Sequence, residues 1–210
     1  MNRFFEYCRF TTTPRHLLNN AQSIKTTFAG RAQASGGHLF GCWRSLVGLG
    51  LARDEGIALT CWPDQAAAQA ATPPDHDEIV SSKTQSLEAT VRPTDDTPPA
   101  YNGVYVFRWF DITEPDWPAF RDISDAAWPN MEDVFDVNIC GFWRGLETPA
   151  PAAKVLLLTR YADLSVWEAS RWWSNPAAQA EASMSRFKKR NEMIDATVAY
   201  PSLLIGNDAV

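Results

Sequence analysis

Little in this 210-residue chain announces a chemistry, and each absence removes a class of function. Positive charge is not in excess. The 19 Lys and Arg stand against 25 Asp and Glu for a net charge of −6, so the basic field that neutralises nucleic-acid phosphates is missing. The one dense basic run, Arg186-Phe-Lys-Lys-Arg190, falls where a last helical turn is expected and reads as a solvated helix end. No apolar stretch approaches the ~18 residues of a membrane span, and Met1-Asn-Arg-Phe-Phe-Glu6 carries no signal-peptide apolar core. The four cysteines, Cys8, Cys42, Cys61 and Cys140, show no CxxC and no Cys-His spacing, so buried reduced thiols in a cytoplasmic protein are expected. The acidic stretch Asp75-His-Asp-Glu78 reads as a solvated loop, and no metal site is expected. Val47-Gly-Leu-Gly-Leu-Ala52 lacks the lysine of a phosphate loop, and neither GxSxG nor HExxH occurs.

What the chain does have is a repeat. His38-Leu-Phe-Gly-Cys-Trp-Arg-Ser-Leu46 returns as Asn138-Ile-Cys-Gly-Phe-Trp-Arg-Gly-Leu146, with Gly, Trp, Arg and Leu in register. Phe10, Thr13 and Phe28 correspond in the same offset to Phe110, Thr113 and Trp128. Leu87-Glu-Ala-Thr-Val91 recurs as Ile194-Asp-Ala-Thr-Val198, with the offset drifting from 100 to 107. Collinear matches of this kind mark a duplicated unit of about half the chain. Aromatic residues make up 12% of the chain, with nine Trp, enough to wall a cavity as well as to fill a core.

Each half reads as strand, helix, strand, strand, helix, strand. In the first half Phe4–Phe10 is a strand, and Thr13-Pro14 is expected to cap a helix whose apolar stripe is Leu17, Leu18, Ala21, Ile24 and Phe28. Strands follow at His38–Arg44 and Ile57–Trp62. Asp64 caps a short helix over Gln65–Ala71, and Leu87–Val91 is the fourth strand. The second half repeats the order: a strand at Val104–Phe110, a helix over 113–130, and strands at Ile139–Arg144 and Val155–Tyr161. Asp163 caps a helix over Leu164–Trp173, a further helix runs over Pro176–Met193, and a last strand over Ile194–Tyr200. The polar, proline-rich Arg92–Ala100 stretch separates them. The fold class expected is α+β: two ferredoxin-like βαββαβ units, over 1–92 and 104–210 with a linker at 93–103. Their uncovered sheet faces would cover each other.

The motifs Val106-Phe-Arg-Trp-Phe110, Cys140-Gly-Phe-Trp-Arg144 and Thr159-Arg-Tyr-Ala-Asp163 make the second half resemble a NIPSNAP-type domain of the dimeric α/β barrel superfamily. The first half resembles it more weakly, through Glu6-Tyr-Cys-Arg-Phe10, Phe40-Gly-Cys-Trp-Arg44 and Cys61-Trp-Pro-Asp64. The glutamate of the first-strand pattern survives only as Glu6 and its arginine only as Arg108. The resemblance implies a barrel between two four-stranded sheets, fused here in one chain. It also implies a repertoire of cofactor-free monooxygenases, isomerases, lyases, polyketide cyclases and haem proteins, among which fold does not choose.

Strand alternation sorts the candidate residues. Tyr105, Phe107 and Trp109 share one face of their strand, and as an all-aromatic set they are expected to pack on helices. That puts Arg108 in the barrel lumen and, by the same register, Glu6, Cys8 and Phe10. Glu6 and His38 are then the candidate proton-transfer groups and Arg108 the anchor for an anionic oxygen. Arg44, Arg144, Phe10, Phe40, Phe110 and Phe142 are the candidate substrate contacts. The function expected is acid–base catalysis in an aromatic-lined cavity, on a hydrophobic aromatic or polyketide-like molecule, by an isomerase, lyase, cyclase or dehydratase without an organic cofactor. The alternatives are a haem protein using His38 as axial ligand, a cofactor-free monooxygenase, and a non-catalytic binding or scaffold protein whose own rings fill the barrel. No nucleic-acid or membrane partner is expected, and the chain would be a monomer of two repeats or a homodimer.

Overall fold

The structure, a computed structural model, describes residues 4–46, 49–72, 74–100, 102–171, 173–174 and 180–206. The first half contains β1 (Phe4–Thr12), α1 (Leu17–Ala34), β2 (His38–Ser45), β3 (Glu55–Trp62), α2 (Gln65–Ala70) and β4 (Ile79–Arg92). The second contains β5 (Val104–Thr113), α3 (Trp117–Val134), β6 (Val137–Gly145), β7 (Ala152–Tyr161), α4 (Leu164–Ala169), α5 (Glu181–Asn191) and β8 (Ala196–Leu204). Both halves have the antiparallel order expected of a ferredoxin-like unit, β4-β1-β3-β2 and β8-β5-β7-β6. Pairing of β2 with β8 and of β4 with β6 closes all eight strands into one barrel.

Several element ends differ from the sequence reading for local reasons. Helix α1 starts at Leu17, not at Thr13, because Arg15 takes a left-handed φ of 72° and breaks the turn. His16 stands at the N-cap without a side-chain capping bond, its ring instead meeting Glu78 at 2.8 Å. Leu17, Ala21, Ile24 and Phe28 form the buried stripe, whereas Leu18 is exposed. Asp64 and Asp163 cap α2 and α4 as expected, each accepting a backbone N–H three residues on, from Ala67 and Val166. Helix α4 stops at Ala169. The expected start of the following helix at Pro176 lies outside the described residues, and α5 is described from Glu181. Strand β4 is 14 residues long because β1 pairs with it from Ile79 onward; the polar Ser81–Ser86 stretch carries no apolar alternation to announce it.

The largest correction is one of register. Phe5 and Tyr7 of β1, and Tyr105, Phe107 and Trp109 of β5, face into the barrel, where they form one buried cluster with Phe40, Trp43 and Trp143. Glu6, Cys8, Phe10, Arg108 and Phe110 face outward to the helices. Phe10 packs on Phe28 of α1 and Phe110 on Phe120 of α3, each at 5.3 Å between ring centres. Rings rather than polar groups fill the lumen because closing the barrel makes it the driest place in the molecule. Each fully buried ring contributes roughly 1.5–3 kcal/mol there, and edge-to-face contacts such as Trp43–Phe107 at 4.9 Å add to it.

The repeated Gly-x-Trp has a packing cause. The indole of Trp43 folds back over Gly41, and that of Trp143 over Gly141. A β-carbon at either glycine would sit inside the six-membered part of the ring. Bulges in the pairing at Leu39/Gly41 and Ile139/Gly141 bring the glycine and the tryptophan to the lumen face.

Candidate functional site

With the lumen packed, open space has to be sought elsewhere. A shallow cavity of about 350 Å³ lies at one mouth of the barrel, where Tyr7, Trp109 and Tyr200 meet Arg9, Lys83 and Lys154. A smaller one, about 180 Å³, lies between the outer face of the second half's sheet and its helices. It is walled by Phe110, Trp128, Trp167 and Phe187 and by the aliphatic Met131, Ile139 and Leu157. Its polar groups include Arg108, Arg190, Tyr161, Thr159 and Ser170.

The electrostatics single this pocket out. Arg108 stands on β5 and Arg190 in the last turn of α5. Among the described residues neither has a carboxylate partner, and the pocket's described lining contains no Asp, Glu, His or Cys. The Arg190 guanidinium lies over the rings of Phe187, Phe110 and Phe120 at 5.1, 5.4 and 5.8 Å. Its Nη1 is sealed from solvent with no hydrogen-bond partner. Burial and the like charge of Arg108 hold Arg190 down to about 10, and burial also lowers Arg108. Tyr161 is raised by burial, a shift that Arg108, Thr159, Arg190 and Ser170 oppose. Two guanidinium groups without a carboxylate partner among the described residues, in an aromatic pocket, make it a candidate place for an anion. Arg171 at the rim is different, because Glu168 one turn earlier pairs with it at 2.7 Å.

The pocket is confined to one half. Residue 8, which corresponds to Arg108, is a cysteine packed against Ile24, Phe28 and Ile205, with no described cavity beside it. Among the described residues the first half has the six-residue α2 where the second has α4 and α5, and no described residue there takes the place of Arg190.

The other expected site residues lie apart. Glu6, on the helix side of β1, receives two bonds of 2.7 Å from Arg31 of α1, and both side chains are buried. It does not meet Arg108, and the pairing makes it a structural carboxylate. His38 sits at the end of β2 against the linker, its Nε2 2.9 Å from the Asp96 carbonyl. Arg144 pairs with Glu114 and lies over Trp117. Arg44 is part-buried near the end of β2 and also has partners. Phe40 is a lumen ring, Phe10 packs under α1, and Phe142 packs among Trp117, Phe120 and Trp128 behind the pocket. Of the nine expected residues only Arg108 and Phe110 line the pocket. The residue missed was Arg190, which belongs to the basic run read as a solvated helix end. The signal available was Phe187, three residues earlier, which puts Arg190 on the apolar side of its helix.

No family model matches the chain, and no curated protein sequence does. Solved structures do match over nearly their full lengths. An anthrone oxidase-like protein aligns with a TM-score of 0.65 at 13% identity, covering 98% of this chain and 92% of that one. A presumed monooxygenase from Lactobacillus acidophilus NCFM aligns at 0.61 and 8% identity, covering 97% and 94%. A chlorite dismutase variant from Candidatus Nitrospira defluvii aligns at 0.55 and 8% identity, covering 99% and 93%. At such identities the likeness is one of fold: this chain is built as a dimeric α/β barrel with both ferredoxin-like units in a single polypeptide.

Proposed function

We propose that the protein is a cofactor-free oxygenase that binds a one- or two-ring enolisable aromatic ketone as its enolate, in the pocket between β5, β6, β7 and helices α3 to α5. The observation that carries this is the pair of arginines, Arg108 and Arg190, in an aromatic pocket whose described lining has no carboxylate. A cavity of ~150 Å³ holds benzene, so the space of about 180 Å³ suits a small ring system. The fold shared with an anthrone oxidase-like protein and a presumed monooxygenase supports the same reading.

The described lining supplies no carboxylate or imidazole base, so the substrate's own acidity does the first work. Two guanidinium groups aimed at the oxygen where charge develops lower the pKa of a carbonyl-activated methylene, and its proton leaves to solvent. The enolate gives one electron to dioxygen, and the resulting pair combines as a carbon–peroxide bond. Protonation and loss of water then leave a carbonyl where the methylene was. One oxygen atom enters the product, the other leaves as water with both methylene hydrogens, and no further reductant is consumed. Tyr161, kept protonated by burial, would donate its proton to the peroxide oxygen.

Haem fits this pocket poorly. The space of about 180 Å³ is too small for a tetrapyrrole, its described lining has no histidine or cysteine, and His38 lies at the barrel's end. The NIPSNAP-type likeness of the second half is retained as a reading of origin, and the isomerase and lyase readings give way to oxygenation. We take the protein to act on its small-molecule substrate in the cytoplasm, without nucleic acid or membrane. No described helix is long and apolar enough to cross a membrane.

The experiment is oxygen uptake with 1,3-indandione, and with the larger anthrone, using the full chain free of added metal and flavin. Expected is one dioxygen consumed per carbonyl formed, without hydrogen peroxide release. Arg108→Gln and Arg190→Gln are expected to lower kcat/KM by about 10²-fold each, the size seen when a donor to a developing oxyanion is removed. Uptake at the uncatalysed rate with both substrates would overturn the reading.

A further inference from the structure

A second set of groups lies at the end of the barrel where β1 begins, away from the anion pocket and independent of it. A ring nitrogen of His38, the Sγ of Cys61 and a carboxylate oxygen of Asp96 lie within 4.8 Å of one another. They come from three separate segments: His38 opens β2, Cys61 is its cross-strand partner on β3, and Asp96 belongs to the connection between the halves. We propose that these three residues bind one Zn²⁺ ion and that the ion fastens the connecting segment to the end of the barrel.

The donor chemistry favours zinc. One imidazole, one thiolate and one carboxylate suit Zn²⁺ and disfavour Mg²⁺ or Ca²⁺, which take oxygen alone. Donors around a tetrahedral zinc stand about 3.5 Å apart, given metal–ligand bonds of 2.0–2.3 Å. The set therefore needs to contract by about an ångström, which the side chain of Asp96, on an irregular segment, can supply. Donating Nε2–H to the Asp96 carbonyl at 2.9 Å fixes the His38 tautomer and makes Nδ1 the lone-pair nitrogen that would take the ion. Metal-bound histidines are characteristically held by a carbonyl or carboxylate on the other nitrogen in this way. Binding exchanges the Cys61 S–H proton for the metal and releases it to solvent.

The duplication provides an internal control. His38 pairs with Cys61 across β2 and β3, and the same register in the second half pairs Asn138 with Arg160, which offers an ion nothing comparable. The site is thus peculiar to one half, and an asparagine at the His38 position is compatible with the fold.

The test uses the full, tag-free chain after chelator treatment, titrated with Co²⁺ by absorption and with Zn²⁺ by calorimetry. Expected are one ion per chain, a near-ultraviolet thiolate-to-cobalt band and release of about one proton. Cys61→Ser should abolish the band, and His38→Asn and Asp96→Asn should each weaken Zn²⁺ binding at least tenfold. If Cys61→Ser fails to fold, the other two variants decide. Absence of saturable binding, a band that survives Cys61→Ser, or affinity unchanged by His38→Asn and Asp96→Asn would overturn the proposal.

Discussion

Arg190 is a pocket residue disguised by its neighbours. Lys188 and Lys189 are exposed beside it, yet its own guanidinium lies among three rings. With its pKa held down to about 10 in the folded chain, it stays charged through neutral pH. Affinity for an anionic ligand should therefore be flat from neutral pH upward and fall as pH passes about 10. Calorimetry at stepped pH would read this, and Arg190→Gln should remove the step. Glu6 is expected to behave oppositely. Glu6→Ala leaves Arg31 buried without its partner and should cost about 3–5 kcal/mol of stability, read as a lower denaturant midpoint, while the folded fraction keeps full ligand affinity. Cys8, pushed up to about 12 by burial, should resist alkylation at pH 8 until the chain is unfolded.

At the scale of elements, the repeated Gly-x-Trp is a packing unit and not a binding motif. Gly41→Ala and Gly141→Ala each force a methyl into the indole that covers the glycine. Each should destabilise by about 1–3 kcal/mol, measurable by urea denaturation, without touching the anion pocket. The strands, the two aspartate caps and the duplicated order were legible because aromatic content, Asp64, Asp163 and the recurrence at offset 100 are local signals. The face each strand turns to the lumen was not. Alternation sorts residues into two sets, but over residues 104–110 of β5 both sets are apolar apart from Arg108, so the pattern cannot say which set is inside. Burial in a closed barrel decided it, and Glu6, Cys8 and Arg108 moved to the helix side together. The polar part of β4 was invisible because its pairing with β1 is made by backbone groups alone.

The whole molecule consists of two halves that cannot bury their aromatic faces separately. Phe5 and Phe40 of the first half pack against Trp143 of the second, and Tyr7 and Trp43 against Phe107. A fragment of residues 104–210 alone should associate or fail to fold cooperatively, and adding residues 1–92 should restore a single unfolding transition, read by circular dichroism and size-exclusion chromatography. Fusion also frees the halves to diverge. The first half keeps a packed helix side around Cys8, whereas the second, with α4 and α5, encloses a space around Arg108 and Arg190. The most direct test of that division of labour is an anaerobic calorimetric titration with the 1,3-indandione enolate and, as the uncharged comparison, 1-indanone. The account predicts one enolate site per chain, tight relative to 1-indanone and weakened about 10- to 100-fold by Arg108→Gln or Arg190→Gln, as expected for loss of one charged hydrogen bond. Equal binding of the two compounds, or enolate binding that survives both substitutions together, would contradict it.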